Sequence, residues 1–210
     1  MRARLRIGVL ALLVATPAGA GDAFIRGAVR LPGDGARAAS FGPAAPVRGV
    51  TDAVVYLEQI PEKNEKKLSR ERRDTTIIQV DRRFIPRVMA VAAGTTIRFE
   101  NMDRVYHNAF SVSAPRRFDL GKYAPGQSRR VAFDRPGVVR LFCDIDPDEN
   151  GYVIVTPNHA FVRPDPSGGF ALPKLPRGKY HLTVWHPRFG KRTRAIEIPK
   201  RGDLVLDLRF

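Results

Sequence analysis

The chain has 210 residues, with 36 Lys and Arg, 21 Asp and Glu and one cysteine, and its formal net charge at pH 7 is +15. A hydrophobic share of 43% and a charged share of 27% are typical of a globular protein and exclude a disordered or fibrous chain. One cysteine excludes an internal disulfide framework and any metal site built from several thiolates.

Residues 1–20 have the pattern of an export signal. Three arginines precede the apolar run Ile7–Ala15, and the small residues Ala18-Gly19-Ala20 follow as a cleavage site. The apolar run is too short to span a bilayer core, which needs about 20 apolar residues. We therefore predict cleavage near Ala20 and a periplasmic or secreted product with no transmembrane segment.

The predicted leader contains three arginines and no acidic residue, so the net charge over residues 21–210 is +12. For an exported basic protein, we expect an acidic protein partner or an anionic surface, and no nucleic acid. The sequence does not indicate an oligomeric state.

The remaining chain predicts an all-β fold. Short alternating or β-branched apolar runs recur, and Gly and Pro separate them at the spacing of a sandwich or barrel. The runs cover residues 53–57, 76–80, 88–91, 95–99, 129–133, 138–142, 152–155, 180–184 and 204–208. Residues 62–73 are rich in charge and lack an apolar stripe, which predicts a solvated loop or one short helix. Residues 33–46 are rich in Ala, Gly and Pro and predict a flexible connection.

Two residues are candidates for chemistry. Cys143 follows the apolar run 138–142 and opens an acidic loop, and His107 lies just past the run 95–99. A lone thiol in an oxidising compartment is a buried apolar side chain, a partner for another chain or a metal ligand. A lone histidine is more often structural than a ligand. From the residues alone, this pair does not define a site.

A series of motifs runs in order between residues 76 and 155. They are Asp81–Pro86, Val91–Phe99, Asn101–Asp103, His107–Phe110, Phe118–Gly121, Tyr123–Ser128 and Pro136–Cys143. This series resembles the cupredoxins, the Greek-key β-sandwiches of plastocyanins, amicyanins and azurins, and most closely the plastocyanin-like methylamine-utilisation proteins. The resemblance implies a copper site and a role in electron transfer.

The resemblance also implies which residues hold the metal. His107 and Cys143 match family ligands. The family loop Cys-x-x-His-Pro-x-Met reads Cys143-Asp-Ile-Asp146-Pro147-Asp-Glu149 here, so Asp146 stands in place of the second histidine and Glu149 in place of the methionine. Two carboxylates weaken binding of Cu(I) and favour Cu(II), Zn(II) or another divalent ion.

Three interpretations of the loop are open. The first is a degenerate type 1 copper site formed by His107, Cys143, Asp146 and Glu149. The second is a metal-free binding or scaffold module, and the third is a calcium loop over residues 144–155. The calcium loop lacks the required Gly and Glu at its sixth and twelfth positions. We predict a non-enzyme, because the sequence has no nucleophile elbow, phosphate loop or metalloprotease helix.

A second resemblance covers both ends of the predicted mature chain. Residues 165–186 resemble the second half of a carboxypeptidase-regulatory-like, transthyretin-related sandwich, and 27–29 with 53–57 resemble its first half. We predict a signal peptide (1–20), a split sandwich (22–60 and 156–210), a charged linker (61–75) and an inserted cupredoxin-like domain (76–155). The alternative assigns residues 54–57 to the cupredoxin as its first strand. We expect Trp185 and His186 to pack in the core, and His159 and His181 to lie at the surface.

Overall fold

The computed structural model describes residues 21–32, 49–70 and 75–210. The predicted signal peptide and the predicted flexible connection at 33–46 lie outside the described residues, so both stay predictions. Within the described part of the chain, no helix is long and apolar enough to cross a membrane. The all-β prediction is confirmed, because these residues form strands joined by turns and one short α-helix.

The strands are numbered in chain order. They are β1 (Ile25–Arg30), β2 (Val54–Leu57), β3 (Thr76–Val80), β4 (Arg83–Ile85), β5 (Val88–Ala92), β6 (Thr95–Asn101), β7 (Phe110–Ser111), β8 (Phe118–Asp119), β9 (Ser128–Phe133), β10 (Gly137–Phe142), β11 (Asn150–Thr156), β12 (Phe161–Val162), β13 (Gly169–Ala171), β14 (Gly178–His186), β15 (Gly190–Ile198) and β16 (Leu204–Arg209). Helix α1 (Glu62–Leu68) lies between β2 and β3, and a 3-10 turn (Val50–Asp52) precedes β2. Four sheets result, and they pack as two β-sandwiches.

The first sandwich joins strands from both ends of the described chain. One sheet has the order β13-β1-β16, and the other has the order β12-β2-β14-β15. Among the described strands, β1 pairs with β13 and β16, and β2 pairs with β12 and β14. Side chains from both sheets, including Ile25, Leu57 and Leu182, share one buried core. Strand β2 therefore belongs to this sandwich, whereas the predicted domain boundaries stay predictions.

Close packing of β1 against β16 requires a glycine. Gly27 lies opposite Leu206 in the parallel pair, and a Cβ atom at Gly27 would come 1.8 Å from the Leu206 carbonyl oxygen. A side chain cannot occupy that space unless the two backbones separate, so the small residue allows their approach. The glycine at position 27 thus has a local physical cause.

The second sandwich is formed by residues 76–156. One sheet has the order β4-β3-β6-β9, and the other has the order β5-β11-β10-β7-β8. The pairs β3–β6 and β5–β11 are parallel, and the remaining pairs are antiparallel. Alternating inward residues fill the space between the sheets, among them Phe99, Phe133 and Leu141.

A third apolar cluster connects the two sandwiches. Val54 and Trp185 from the first sandwich pack with Val88 and Ile154 from the second. The rings of Trp185 and Tyr152 lie 5.3 Å apart between centroids. Burial of these side chains is lost if the sandwiches separate, so the cluster holds them together.

The charged segment after β2 contains the short helix that its composition allows. Helix α1 buries Leu68 in the core of the first sandwich. Glu65 accepts a hydrogen bond from the backbone N–H of His159 at 2.9 Å and lies 2.6 Å from its Nδ1. The helix is therefore packed on the first sandwich, and His159 is half-buried by this contact.

Candidate metal centre

The candidate site lies where three segments of the second sandwich meet. His107 lies in the loop between β6 and β7, and backbone hydrogen bonds of 3.2 and 2.9 Å to Tyr123 fix its position. Cys143 follows directly after β10, and Glu149 immediately precedes β11. Because β10 and β11 are neighbouring antiparallel strands, the loop between them returns Glu149 to the vicinity of Cys143.

Asn101 shapes the loop that carries His107. Its buried side chain accepts a hydrogen bond from the backbone N–H of Asp103 at 2.9 Å. It also donates to the carbonyl oxygens of Val105 at 2.8 Å and Tyr123 at 3.1 Å. One buried amide thus binds three backbone groups and holds the loop in one conformation.

Three of the four predicted ligands converge. His107 Nδ1 lies 2.9 Å from Glu149 Oε2 and 3.8 Å from Cys143 Sγ. One ligand atom from each of the three residues lies within 4.8 Å of the other two. All three residues are buried, with 1%, 1% and 4% of His107, Glu149 and Cys143 exposed. Within the described residues, this is the group of His, Cys, Asp and Glu side chains that could hold a metal ion.

Two opposing effects act on the Cys143 thiol. Burial is the larger one and raises its pKa above the ordinary value. Backbone N–H groups of Asn108, Ile145 and Asp146 hydrogen-bond the sulfur and act in the opposite direction, because they stabilise a thiolate. The sulfur is therefore protonated near neutral pH in the metal-free protein, while the donors that would stabilise its ligand form are already in place.

Asp103 orients His107 from the opposite side of the ring. His107 Nε2 lies 3.0 Å from Asp103 Oδ2, and since a carboxylate only accepts, the ring nitrogen is the donor. The backbone N–H of Arg82 donates to the same oxygen at 3.0 Å and lowers the pKa of Asp103. A carboxylate that binds one imidazole nitrogen directs the other nitrogen toward a metal, as is general in histidine metal sites.

The fourth predicted ligand, Asp146, points elsewhere. Its Oδ2 lies 3.5 Å from Arg82 Nε, and its Oδ1 accepts a hydrogen bond from the backbone N–H of Asp148 at 3.2 Å. Its carbonyl oxygen accepts from the backbone N–H of Glu149 at 3.0 Å, which closes the turn. Asp146 thus shapes the loop and is not part of the buried cluster.

Two buried or partly buried groups of the site are not evident from the motif. Asp103 lies four residues before its partner His107, but no rule links that spacing to a contact outside a helix. Gln79 donates to Glu149 Oε1 at 2.9 Å and accepts from Tyr123. Burial raises the pKa of Tyr123, which keeps its hydroxyl protonated as the donor. A signal for Gln79 does exist, since it occupies an inward position of β3 that the alternation reserves for apolar residues.

The other histidines do not contribute to the site. His186 is buried, stacks on Phe189 and lies 3.0 Å from the Gly49 carbonyl oxygen through Nε2, so it packs in the core as predicted. Burial lowers its pKa. His181 is exposed. His159 is half-buried by Glu65, a contact between residues distant in sequence.

The donor set fits a divalent transition-metal ion. In a tetrahedral zinc site, sulfur at about 2.3 Å and nitrogen at about 2.0 Å lie roughly 3.5 Å apart. The observed separation of 3.8 Å between Cys143 Sγ and His107 Nδ1 is close to that distance, whereas the 2.9 Å between His107 Nδ1 and Glu149 Oε2 is a hydrogen-bond distance that a bound ion would have to lengthen. One thiolate, one imidazole and one carboxylate also combine the three ligand types that Zn²⁺ accepts in proteins.

Neither a protein-family model nor a curated protein matches the sequence. Among solved structures, the chain is similar to a copper-containing nitrite reductase from Thermus scotoductus, with 29% identity over 40% of this chain and 23% of that chain, and a TM-score of 0.38. It is also similar to a purple cupredoxin from Nitrosopumilus maritimus, with 24% identity over 40% of this chain and 100% of that chain, and a TM-score of 0.37. A Cu(I) amicyanin mutant has 18% identity over 38% of this chain and 79% of that chain, with a TM-score of 0.36.

The chain thus spans less than a quarter of the nitrite reductase that it matches. Fold and site together define an all-β protein of two sandwiches, with a buried Cys–His–Glu cluster at one end of the second. The expectation that the protein is not an enzyme stays a prediction.

Proposed function

We propose that this protein is an exported, cupredoxin-like metal-binding protein whose second sandwich holds one divalent transition-metal ion. The ligands are Cys143 Sγ, His107 Nδ1 and Glu149 Oε2. The convergence of these three buried atoms within 4.8 Å supports the proposal. A bound ion would compensate the buried carboxylate and stabilise the thiolate form of the cysteine.

The ligand types favour Cu(II) or Zn(II) over Cu(I). A blue copper centre uses one thiolate, two imidazoles and a weak axial thioether. Here a single imidazole is available, and Glu149 supplies a hard anionic oxygen in place of a soft sulfur. Hard ligands stabilise the divalent state, so the proposed role is metal binding without rapid one-electron exchange.

A second candidate is a metal-free β-sandwich module, and one observation favours it. His107 has a carboxylate at each ring nitrogen, 2.9 Å from Glu149 and 3.0 Å from Asp103. Glu149 also accepts from Gln79. The polar groups of the cluster are therefore satisfied without an ion. The acidic or anionic partner expected from the net charge stays a prediction.

Metal uptake distinguishes the two candidates. The purified protein is dialysed against Zn²⁺, Co²⁺ or Cu²⁺ in separate experiments, and bound metal is measured by elemental analysis. We expect one ion per chain and its loss in Cys143→Ala, which removes the thiolate. Asp146→Asn is the matched control, because Asp146 lies in the same loop and pairs with Arg82. It should retain the ion.

The copper form provides a second readout. With one imidazole and a carboxylate, the Cu(II) protein should lack the intense blue absorption of a type 1 centre. Absence of bound zinc, cobalt and copper would reject the proposal and favour the metal-free module. Equal metal content in Cys143→Ala and the wild-type protein would place any bound ion elsewhere.

A further inference from the structure

A glutamine is buried beside the metal-binding cluster. Gln79 lies in β3, is 0% exposed and shares the inward side of the strand with Ile77. A buried polar group without a hydrogen-bond partner costs about 1–3 kcal/mol, so a glutamine at this position depends on specific partners.

The hydrogen bonds of Gln79 fix the orientation of its amide. Nε2 donates to Glu149 Oε1 at 2.9 Å and to the Asn108 carbonyl oxygen at 3.1 Å. Oε1 accepts from the hydroxyl of Tyr123, which is itself 0% exposed. Two neighbours that only accept require the NH₂ group on their side. A half-turn of the amide would therefore break these contacts.

This orientation constrains the Glu149 carboxylate. Gln79 holds Oε1, while Oε2 faces His107 Nδ1 at 2.9 Å. A carboxylate with one oxygen held by this hydrogen bond offers the other oxygen to a metal ion more readily. Four-coordinate zinc takes one carboxylate oxygen at about 2.0–2.2 Å, whereas larger oxygen-seeking ions such as Ca²⁺ often take both.

We propose that Gln79, oriented by Tyr123, is a positioning residue that restricts Glu149 to one-oxygen ligation and selects a small four-coordinate divalent ion. The inference rests on the proposed metal binding and adds the residue that limits Glu149 to one oxygen; with three protein ligands, a water would be the fourth. Gln79 acts through Glu149 and does not itself contact the ion.

Cobalt(II) is the probe, because its visible absorption is intense in four-coordinate sites and weak in sites of higher coordination. Gln79→Met keeps the side-chain length and removes both types of hydrogen bond. Tyr123→Phe keeps the buried ring and removes only the hydroxyl that orients Gln79. Ile77→Val is the matched control, because it loosens the same side of the same strand and changes no hydrogen bond of Glu149.

Three quantities are measured for each protein: the visible absorption per bound cobalt, the cobalt affinity by competition with a chelator, and the thermal unfolding midpoint without metal. We expect Gln79→Met to weaken cobalt binding about 10–100-fold, the range typical of residues that orient metal ligands. Its visible bands should also weaken as Glu149 turns to offer both oxygens. Tyr123→Phe should also lower the cobalt affinity and the intensity of the visible bands, but by less than Gln79→Met.

The control separates positioning from general destabilisation. Ile77→Val should lower the unfolding midpoint and leave the cobalt spectrum unchanged. Unchanged spectra and affinities in both Gln79→Met and Tyr123→Phe would overturn the positioning role and leave metal binding intact. A wild-type protein that binds no cobalt would instead overturn the metal site itself. If Gln79→Met does not fold, Tyr123→Phe decides the question by the same criteria.

Discussion

Asp103→Asn tests whether a carboxylate orients the proposed histidine ligand. The substitution keeps the shape of the side chain and an oxygen that can accept from His107 Nε2, now 3.0 Å from Oδ2. It removes the negative charge that strengthens this hydrogen bond and makes the imidazole a better electron donor. The backbone N–H of Arg82 can still donate to the remaining oxygen, so the loop should keep its conformation.

The expected loss of metal affinity in Asp103→Asn depends on how exposed the Asp103 side chain is. Loss of a carboxylate that orients a histidine ligand typically weakens metal binding about 10–100-fold, or roughly 1.4–2.7 kcal/mol. The His107 side chain is 1% exposed, but the Asp103 side chain is 19% exposed. Solvent partly screens that carboxylate. We therefore expect the lower end of the range, about tenfold.

The assay is a competition titration with Zn²⁺ against a chromophoric chelator at fixed pH and ionic strength. Asp144→Asn is the control, because it removes one negative charge from an exposed position of the neighbouring loop. It should change the affinity by less than twofold, a rough limit for a screened surface charge. Equal affinities for Asp103→Asn and Asp144→Asn would refute the orienting role of Asp103.

Two further predictions concern stability. Burial lowers the pKa of His186, so the unfolded chain binds more protons at acidic pH and the free energy of unfolding should fall below about pH 6.5. His186→Phe keeps a ring against Phe189 and should reduce that loss, as measured by urea unfolding at neutral and acidic pH; an equal loss in both proteins would contradict the assignment. Trp185→Ala removes a ring that packs on Tyr152 between the sandwiches and should cost about 3–5 kcal/mol. Urea unfolding should then separate into two transitions, whereas an undiminished single transition would show that this cluster does not connect the sandwiches.

Much of the fold is evident from local sequence. The period-two alternation of β6 places Ile97, Phe99 and Asn101 on the buried side, and the structure has that pattern. Strand β2 is different, because its four residues are all buried and carry no alternation. Its membership of the first sandwich depends on pairing with β14, more than 120 residues later in the chain. Alternation within β2 cannot encode such a contact, and the predicted split sandwich rests instead on the resemblance of residues 53–57 and 165–186 to two halves of one fold.

In the candidate site, too, the sequence does not show every contact between residues that are distant in the chain. Motif position assigns His107, Cys143 and Glu149 to one cluster, and the structure brings them together. Motif position also assigns Asp146, but its carboxylate instead faces Arg82 from the turn between β3 and β4. That turn is far from the loop in sequence and lies close to it only in the folded chain. The spacing of residues within one loop therefore could not show which carboxylate faces inward.

The hydrogen bonds of the metal-free cluster determine which substitution tests metal binding without also altering folding. Glu149 is 1% exposed and has His107 and Gln79 as partners, so replacing it would leave buried donors unsatisfied at a cost of about 1–3 kcal/mol. A loss of metal in such a variant would mix altered folding with altered ligation. Cys143 is a buried thiol, and alanine removes only the weak hydrogen bonds of its sulfur, those from the backbone N–H groups of Asn108, Ile145 and Asp146 among them. A metal ion must displace the thiol proton and the proton between His107 Nδ1 and Glu149. Cys143→Ala removes the thiolate ligand and leaves the hydrogen bonds of His107, Glu149 and Gln79 in place.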